Sequence, residues 1–258
     1  LLYSYKRNRV QEYNKLYLHI TFDCPLRCGH CYASGGETDM SEMPVDAALG
    51  IISDAQKALF RAVVVTGGEP LVHGGIDALL TGLKAIDLKG MRPILRTSLG
   101  FPIQNERLKT VCEAFPEIVI SIDGDEKSHD MRRGTGRYAQ AVANLERMKD
   151  MGFIGRVGVC ATLSRAQREG PEGEAVTALC ERLGIENIRF RAVLPLGRAE
   201  GAPPDEGFLC MDESEKSHPF QPRFTCGLGQ NLYVEPDGGA YPCYAWCGPD
   251  KRLGNVLS

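Results

Sequence analysis

The stretch Cys24-Pro25-Leu26-Arg27-Cys28-Gly29-His30-Cys31 carries three cysteines at x3 and x2 spacing. It follows directly on Leu16-Tyr17-Leu18-His19-Ile20-Thr21-Phe22, an alternating apolar run of the kind that forms a strand. A strand running into a short loop presents three thiolates to one point in space, and thiolates so arranged bind soft metals or iron–sulfur clusters. A cubane cluster has one iron more than three thiolates can ligate, so one iron is left for a substrate or cofactor.

The 258 residues suffice for one barrel-sized domain and a small appendage. Lysine and arginine total 30 against 33 acids, a net charge of −3 that gives nucleic acid no support as a partner. The longest apolar runs, such as Ala62-Val63-Val64-Val65, fall far short of the roughly 20 residues that cross a bilayer, so no membrane is expected. Leu1-Leu2-Tyr3-Ser4-Tyr5-Lys6-Arg7-Asn8-Arg9 has no apolar core suited to a signal peptide. The ten cysteines gather toward the two ends, while Cys112, Cys160 and Cys180 lie in apolar periodic segments and read as core residues. A secreted disulfide framework is the alternative, but such scaffolds are short and lack large cores. The end clusters read as metal sites in a reducing compartment, the cytoplasm.

Strand and helix alternate along the chain. Leu16 to Phe22 is the first strand, and Val45, Leu49, Ile52 and Leu59 mark a helix from Pro44 to Phe60. Ala62 to Thr66 is a short buried strand that ends at Gly67-Gly68-Glu69-Pro70, and Ile76 to Leu88 is helical. Pro93 to Thr97, Ile118 to Ile122, Val157 to Leu163 and Ile188 to Val193 are further strands. Between them lie helical stripes through Leu108 and Phe115, through Tyr138 and Met148, and through Val176 and Leu183. Repeated strand–helix pairs predict a parallel sheet with helical crossovers, here a partial, open barrel. Active sites of such barrels lie at the C-terminal strand ends, and the cysteines, Gly67 to Pro70, Thr97-Ser98, Asp123-Gly124 and Pro195-Leu196-Gly197 all follow strands. After Gly197 a Gly- and Pro-rich stretch precedes Cys226, the run Asn231 to Glu235, a Pro236-Asp237-Gly238-Gly239 turn, and Cys243 and Cys247. Asp-Gly between short β-prone runs predicts a hairpin bracketed by cysteines. A zinc ribbon is one reading of it, since zinc accepts the same thiolates.

Together these motifs resemble the radical S-adenosylmethionine (SAM) superfamily. The resemblance implies an α/β fold: a partial (β/α)6 TIM barrel over 1–198, followed over 199–258 by a small cysteine-bearing β-hairpin extension like SPASM/Twitch. It implies a [4Fe–4S] cluster on Cys24, Cys28 and Cys31, with His30 at the aromatic-type position before the last cysteine. Gly67, Gly68, Glu69 and Pro70 match the family's GGEP motif, where backbone and Glu69 receive the SAM amino group. Ser98, Ser121, Asp123, Arg133 and Leu194 complete the expected SAM-binding set, with Arg132 or Arg133 forking onto the SAM carboxylate. Cys226, Gly238 and Cys243 match the start of the extension, as does Leu253-Gly254-Asn255-Val256. One auxiliary [4Fe–4S] cluster is expected on Cys226, Cys243, Cys247 and Cys210. Cys210 or Cys247, where not a ligand, is a candidate hydrogen donor in catalysis.

The activity implied is reductive cleavage of SAM to a 5′-deoxyadenosyl radical that abstracts hydrogen from an unactivated carbon, fed by a donor such as flavodoxin or ferredoxin. Because the short stretch before Leu16 leaves no room for a peptide-recognition domain, the expected outcome is dehydrogenation or epimerisation of a small sugar- or aminocyclitol-like natural-product intermediate. Peptide modification, as in maturases of ribosomal peptides, is the alternative. A zinc-stabilised ligand-binding barrel without radical chemistry is a third reading. Arg27 and His73, on the expected rim, are candidates for substrate contact.

Overall fold

Ala62-Val63-Val64-Val65-Thr66 is buried at every position, as a strand covered on both faces requires. The computed structural model describes residues 15–37, 40–202, 231–243 and 249–257. In chain order its main elements are β1 (Lys15–His19), α1 (Val45–Lys57), β2 (Ala62–Thr66), α2 (Ile76–Ala85), β3 (Arg92–Thr97), α3 (Asn105–Ala114) and β4 (Glu117–Ser121). Then come α4 (Glu126–Arg133), α5 (Arg137–Asp150), β5 (Val157–Thr162), α6 (Arg165–Arg168), α7 (Pro171–Leu183) and β6 (Asn187–Arg191). The last strands are β7 (Asn231–Val234), β8 (Gly239–Tyr241) and β9 (Gly254–Asn255). Strands β1 to β6 pair in parallel and in sequence order, which is the open barrel that the alternation predicts.

Alternation along each strand separates two cores. Leu16, Leu18, Val63, Val65, Leu95, Ile118, Ile120 and Val159 pack outward with the helices, including Ile52, Leu80, Leu108, Leu145 and Val176. Tyr17, Ala62, Val64, Ile94, Val119, Tyr233 and Tyr241 form the second cluster, on the inward face. Cys112 and Cys180 are buried, as expected of core thiols, whereas Cys160 is only partly buried. Its position on β5 turns it inward against the second cluster.

Three features differ from the sequence reading. The first strand stops at His19 instead of Phe22, because Thr21 bridges to Glu42 and the Phe22 amide donates to Ser41 O. Helix α4 is added between β4 and α5; only His129 and Arg133 of it are buried, so it shows no apolar stripe. The expected hairpin forms from β7 and β8, antiparallel with Tyr233 opposite Tyr241. It also joins the barrel sheet, since β7 pairs in parallel with β1 over Lys15–Leu18. Tyr17 and Tyr233 stack across that seam with ring centroids 4.4 Å apart. Strand β9 then closes on the hairpin, and Asn255 Nδ2 donates to Asp237 O at 2.9 Å. No helix among the described residues is long and apolar enough to cross a membrane.

Replacing Tyr233 by Ala removes a buried aromatic from the seam between β1 and the hairpin. The expected loss is about 3 kcal/mol of unfolding free energy, read from the denaturant midpoint. Cleavage by protease in the hairpin before global unfolding is expected to accompany it.

Candidate functional site

The cysteine loop is seated on the end of β2 by backbone contacts. Gly68 N donates to Thr21 O at 2.7 Å, and Glu69 N donates to Asp23 O at 2.8 Å. This approach requires glycine. Gly67 has φ of 151°, and a Cβ there would stand 2.2 Å from Thr21 O. A Cβ at Gly68 would stand 2.2 Å from Asp23 O.

Glu69 itself turns away from the loop into the protein. Oε1 accepts from Thr97 Oγ1 at 2.7 Å and Leu71 N at 3.3 Å, and Oε2 accepts from Ser98 N at 2.8 Å and Ser98 Oγ at 2.7 Å. Burial pushes its pKa up, and these donors oppose that rise. The structure therefore joins two predicted residues, Glu69 and Ser98, in one anchor between β2 and β3.

Asp123 is a second hub, with no exposed surface. Its Oδ2 accepts from Arg133 Nε at 2.6 Å, and its Oδ1 accepts from Thr162 N at 2.7 Å. His30 Nε2 lies 3.4 Å from the same Oδ2. Burial opposes ionisation of Asp123, but Arg133 and His30 hold its carboxyl below the usual range. The Arg133 guanidinium also reaches Cys28 Sγ at 3.9 Å and His30 Nε2 at 3.2 Å. Thus Arg133 is committed to Asp123 and the cysteine loop, while Arg132 donates to Thr162 O at 2.8 Å. Asp125 caps α4 by accepting from Ser128 N at 2.8 Å, and this cap sets the phase that turns His129 and Arg133 inward.

Arg198, unremarkable by residue type and spacing, ties the turn after β6 to the cysteine loop. Its Nε donates to Cys28 O at 2.8 Å, and Nη1 donates to Gly35 O at 3.2 Å and Glu37 Oε1 at 2.7 Å. Gly197 permits the approach with φ of 58°; a Cβ there would lie 2.4 Å from both Cys31 O and Tyr32 O. Leu194 is buried beside this turn, and Ser121 ends β4 on the inward face, paired in register with Cys160. Arg27 donates to Cys24 O at 2.7 Å and so braces the loop. His73 is buried, with Nε2 at 2.9 Å from Met43 O.

Cys24, Cys28 and Cys31 are free thiols close enough to act on one another's charge. Burial pushes Cys24 up to about 12 and raises Cys28, so their ionisation is coupled to binding of a cation. Among the described residues no three His, Cys, Asp or Glu side chains converge on a single-ion site. A cubane takes thiolates on separate irons, and the triad offers three from one loop, with the Arg133 guanidinium 3.9 Å from Cys28 Sγ. Cys243 is partly buried after β8; Cys210, Cys226 and Cys247 lie outside the described residues.

Two outcomes are expected from this geometry. Arg198→Met takes the side-chain donor from Gly35 O and leaves Cys28 O with the Cys31 amide alone, which should lower unfolding free energy by about 1–3 kcal/mol and speed iron loss to a chelator. His129 Nδ1 accepts the Asp123 N–H at 3.1 Å, and burial, then Arg133, lower its pKa to about 4 from 6.5. The unfolded chain thus binds more protons between those values, so the contribution of His129 is full above 6.5 and lost as pH falls toward 4. His19, lowered to about 4 by burial and then Arg96, acts with the same sign. Denaturant midpoints should fall across this window, and His129→Asn should flatten the fall; an equally steep fall would contradict the assignment.

Comparison with known proteins identifies the family and the fold. A model of the radical SAM superfamily matches residues 18–164. The pre-heme d1 synthase of Dinoroseobacter shibae is 28% identical over 183 residues, covering 70% of this chain and 43% of that protein. The mycofactocin maturase MftC of Mycobacterium tuberculosis is 26% identical over 267 residues, covering 93% of this chain and 66% of the relative. The chain thus spans about half to two thirds of the length of these relatives. Streptococcus suis SuiB, solved with its precursor peptide SuiA, shares the fold at a TM-score of 0.79 and 15% identity, over 97% of this chain and 65% of that one. With a free cysteine triad docked on a glycine pair at the rim of a parallel barrel, the chain belongs to the radical SAM superfamily, whose members use a [4Fe–4S] cluster and SAM.

Proposed function

We propose that this chain is a peptide-modifying radical SAM enzyme, with its cluster on Cys24, Cys28 and Cys31. The observation that carries the radical reading is the docking of that triad on Gly67-Gly68, which brings thiolates and an approachable backbone to one point of the rim. When bound, the reduced cluster supplies one electron to SAM, and the fragment released removes a hydrogen atom from an unactivated carbon.

The chain's own residues hold, orient and shield. Both Glu69 oxygens are taken up by Thr97, Ser98 and Leu71, so the SAM amino group falls to the glycine backbone rather than to this carboxylate. Glu69 instead fixes the β2 and β3 turns against each other. Ser121, Asp123 and Leu194 line the remaining strand ends, and Arg133 balances thiolate charge at Cys28. His30, wedged between Asp123 and Arg133, closes the loop above them.

A peptide replaces the small sugar-like substrate as the leading reading. It is supported by the likeness to the MftC maturase over 93% of this chain. One auxiliary cluster on Cys243 with Cys226, Cys247 and Cys210, a role for Cys210 or Cys247 as hydrogen donor, and a flavodoxin- or ferredoxin-type electron donor belong to the same proposal.

Iron and sulfide are to be measured after anaerobic reconstitution of the native chain and of the Cys24/Cys28/Cys31→Ala variant. About eight irons falling to about four is expected, together with loss of 5′-deoxyadenosine formed from SAM under dithionite. About four falling to none would remove the auxiliary cluster, and no iron at all would restore the zinc reading.

A further inference from the structure

The barrel interior changes character along its strands. Toward the N-terminal ends the inward positions are apolar, with Tyr17, Val64, Ile94 and Val119 filling the space. Two residues further on, the same faces carry His19, Thr66, Arg96 and Ser121. Among the described residues, two buried side-chain nitrogens lack a hydrogen-bond partner, and both belong to this step: His19 Nδ1 and Arg96 Nε. Native folds leave few such atoms, and each one calls for an acceptor.

The Arg96 guanidinium lies 5.3 Å from the centre of the Tyr17 ring, and the residue keeps part of its surface open. Its electrostatic neighbours are Arg191, Tyr17, Cys160 and Tyr32, with no carboxylate of the described residues among them. Burial, then Arg191, lower its pKa. His19 is neutral and sits 3.4 Å through Nε2 from the Tyr32 hydroxyl. In the tautomer in which that hydroxyl donates to Nε2, Nδ1 carries the proton and is, like Arg96 Nε, an N–H donor.

We propose that Arg96, with His19 beside it, anchors a carboxylate of the substrate inside the barrel. A carboxylate offers paired acceptor oxygens to a guanidinium fork and restores charge balance in a shielded site. Arg96 directly precedes Thr97 and Ser98, the residues that fix Glu69, so the anchor holds a substrate beneath the strand ends. This assignment rests on the radical reading above and adds the substrate's chemical class.

Anaerobic calorimetry on the reconstituted full chain tests it with benzoate, neutral benzamide and inorganic phosphate as probes. Benzoate should bind the native chain, with benzamide at least about tenfold weaker. Arg96→Met keeps the apolar stem over Tyr17 and should weaken benzoate at least about tenfold; Arg96→Lys should fall between. Arg61→Gln, at an exposed cation, should leave benzoate affinity unchanged. Displacement of benzoate by a short peptide acid but not by its amide would bear the anchor out for a peptide, and displacement by glutarate alone would bear it out for a small acid. Equal benzoate affinity in native and Arg96→Met chains of matching melting temperature overturns the proposal. So does phosphate binding without benzoate binding, or no benzoate binding at all. Absence of 5′-deoxyadenosine from the native chain would instead overturn the radical reading, and the binding arms would still decide the anchor.

Discussion

Two backbone hydrogen bonds, Gly68 N to Thr21 O and Glu69 N to Asp23 O, hold the rim together. They exist because the chain leaves β1 and β2 side by side in parallel, with both strands ending at the same level. Absence of Cβ at Gly67 and Gly68 then lets one strand end press onto the next. The Glu69 side chain crosses to Thr97 and Ser98 at the end of β3. One short tetrapeptide thereby registers three consecutive strand ends. Right-handed crossovers deliver all of them to one edge, and the glycine pair converts a shared edge into a fitted surface.

Charge is arranged around that surface with equal economy of parts. Asp123 sees β5 through Thr162 N, α4 through Arg133 and the cysteine loop through His30. A buried carboxylate is costly alone, and Arg133 offsets that cost only while α4 keeps its phase. The same guanidinium touches Cys28 Sγ, so a helix of polar sequence couples strand order to the electrostatics of the triad. Arg198 adds a second cation from the far edge of the barrel, clamping Cys28 O and Gly35 O. Both arginines oppose the rise that burial imposes on the Cys28 thiol.

Most strands and the helices packed on them were legible in the sequence because their signals are local and apolar. Ala62 to Thr66 and the stripe through Val176 and Leu183 are of this kind. Helix α4 was not legible, since its two buried residues are His129 and Arg133 and periodicity is sought in apolar side chains. The triad and Gly67-Gly68 announce themselves by spacing and by residue type. Arg198 and Arg96 do not, because an arginine in a sequence reads as solvated until its neighbours are known. The pairing of β7 with β1 was hidden for another reason. It joins Lys15 to Asn231, and no local pattern reports a contact across such a sequence separation.

That pairing fixes a polarity between the two ends of the molecule. Strand β7 runs parallel to β1, so it climbs toward the rim that bears Cys24, Cys28 and Cys31. The turn at Asp237 and Gly238 reverses the chain, and β8 descends antiparallel, with Tyr241 level with Tyr233 and hence with Tyr17. Cys243 follows Tyr241 by two residues in the descending direction, away from the triad. Between these levels lie the Tyr17–Tyr233 stack and, one step above it on the inward face, Arg96 and His19. Cys243 thus follows the strand that runs down from the turn, whereas the triad follows the upper end of β1.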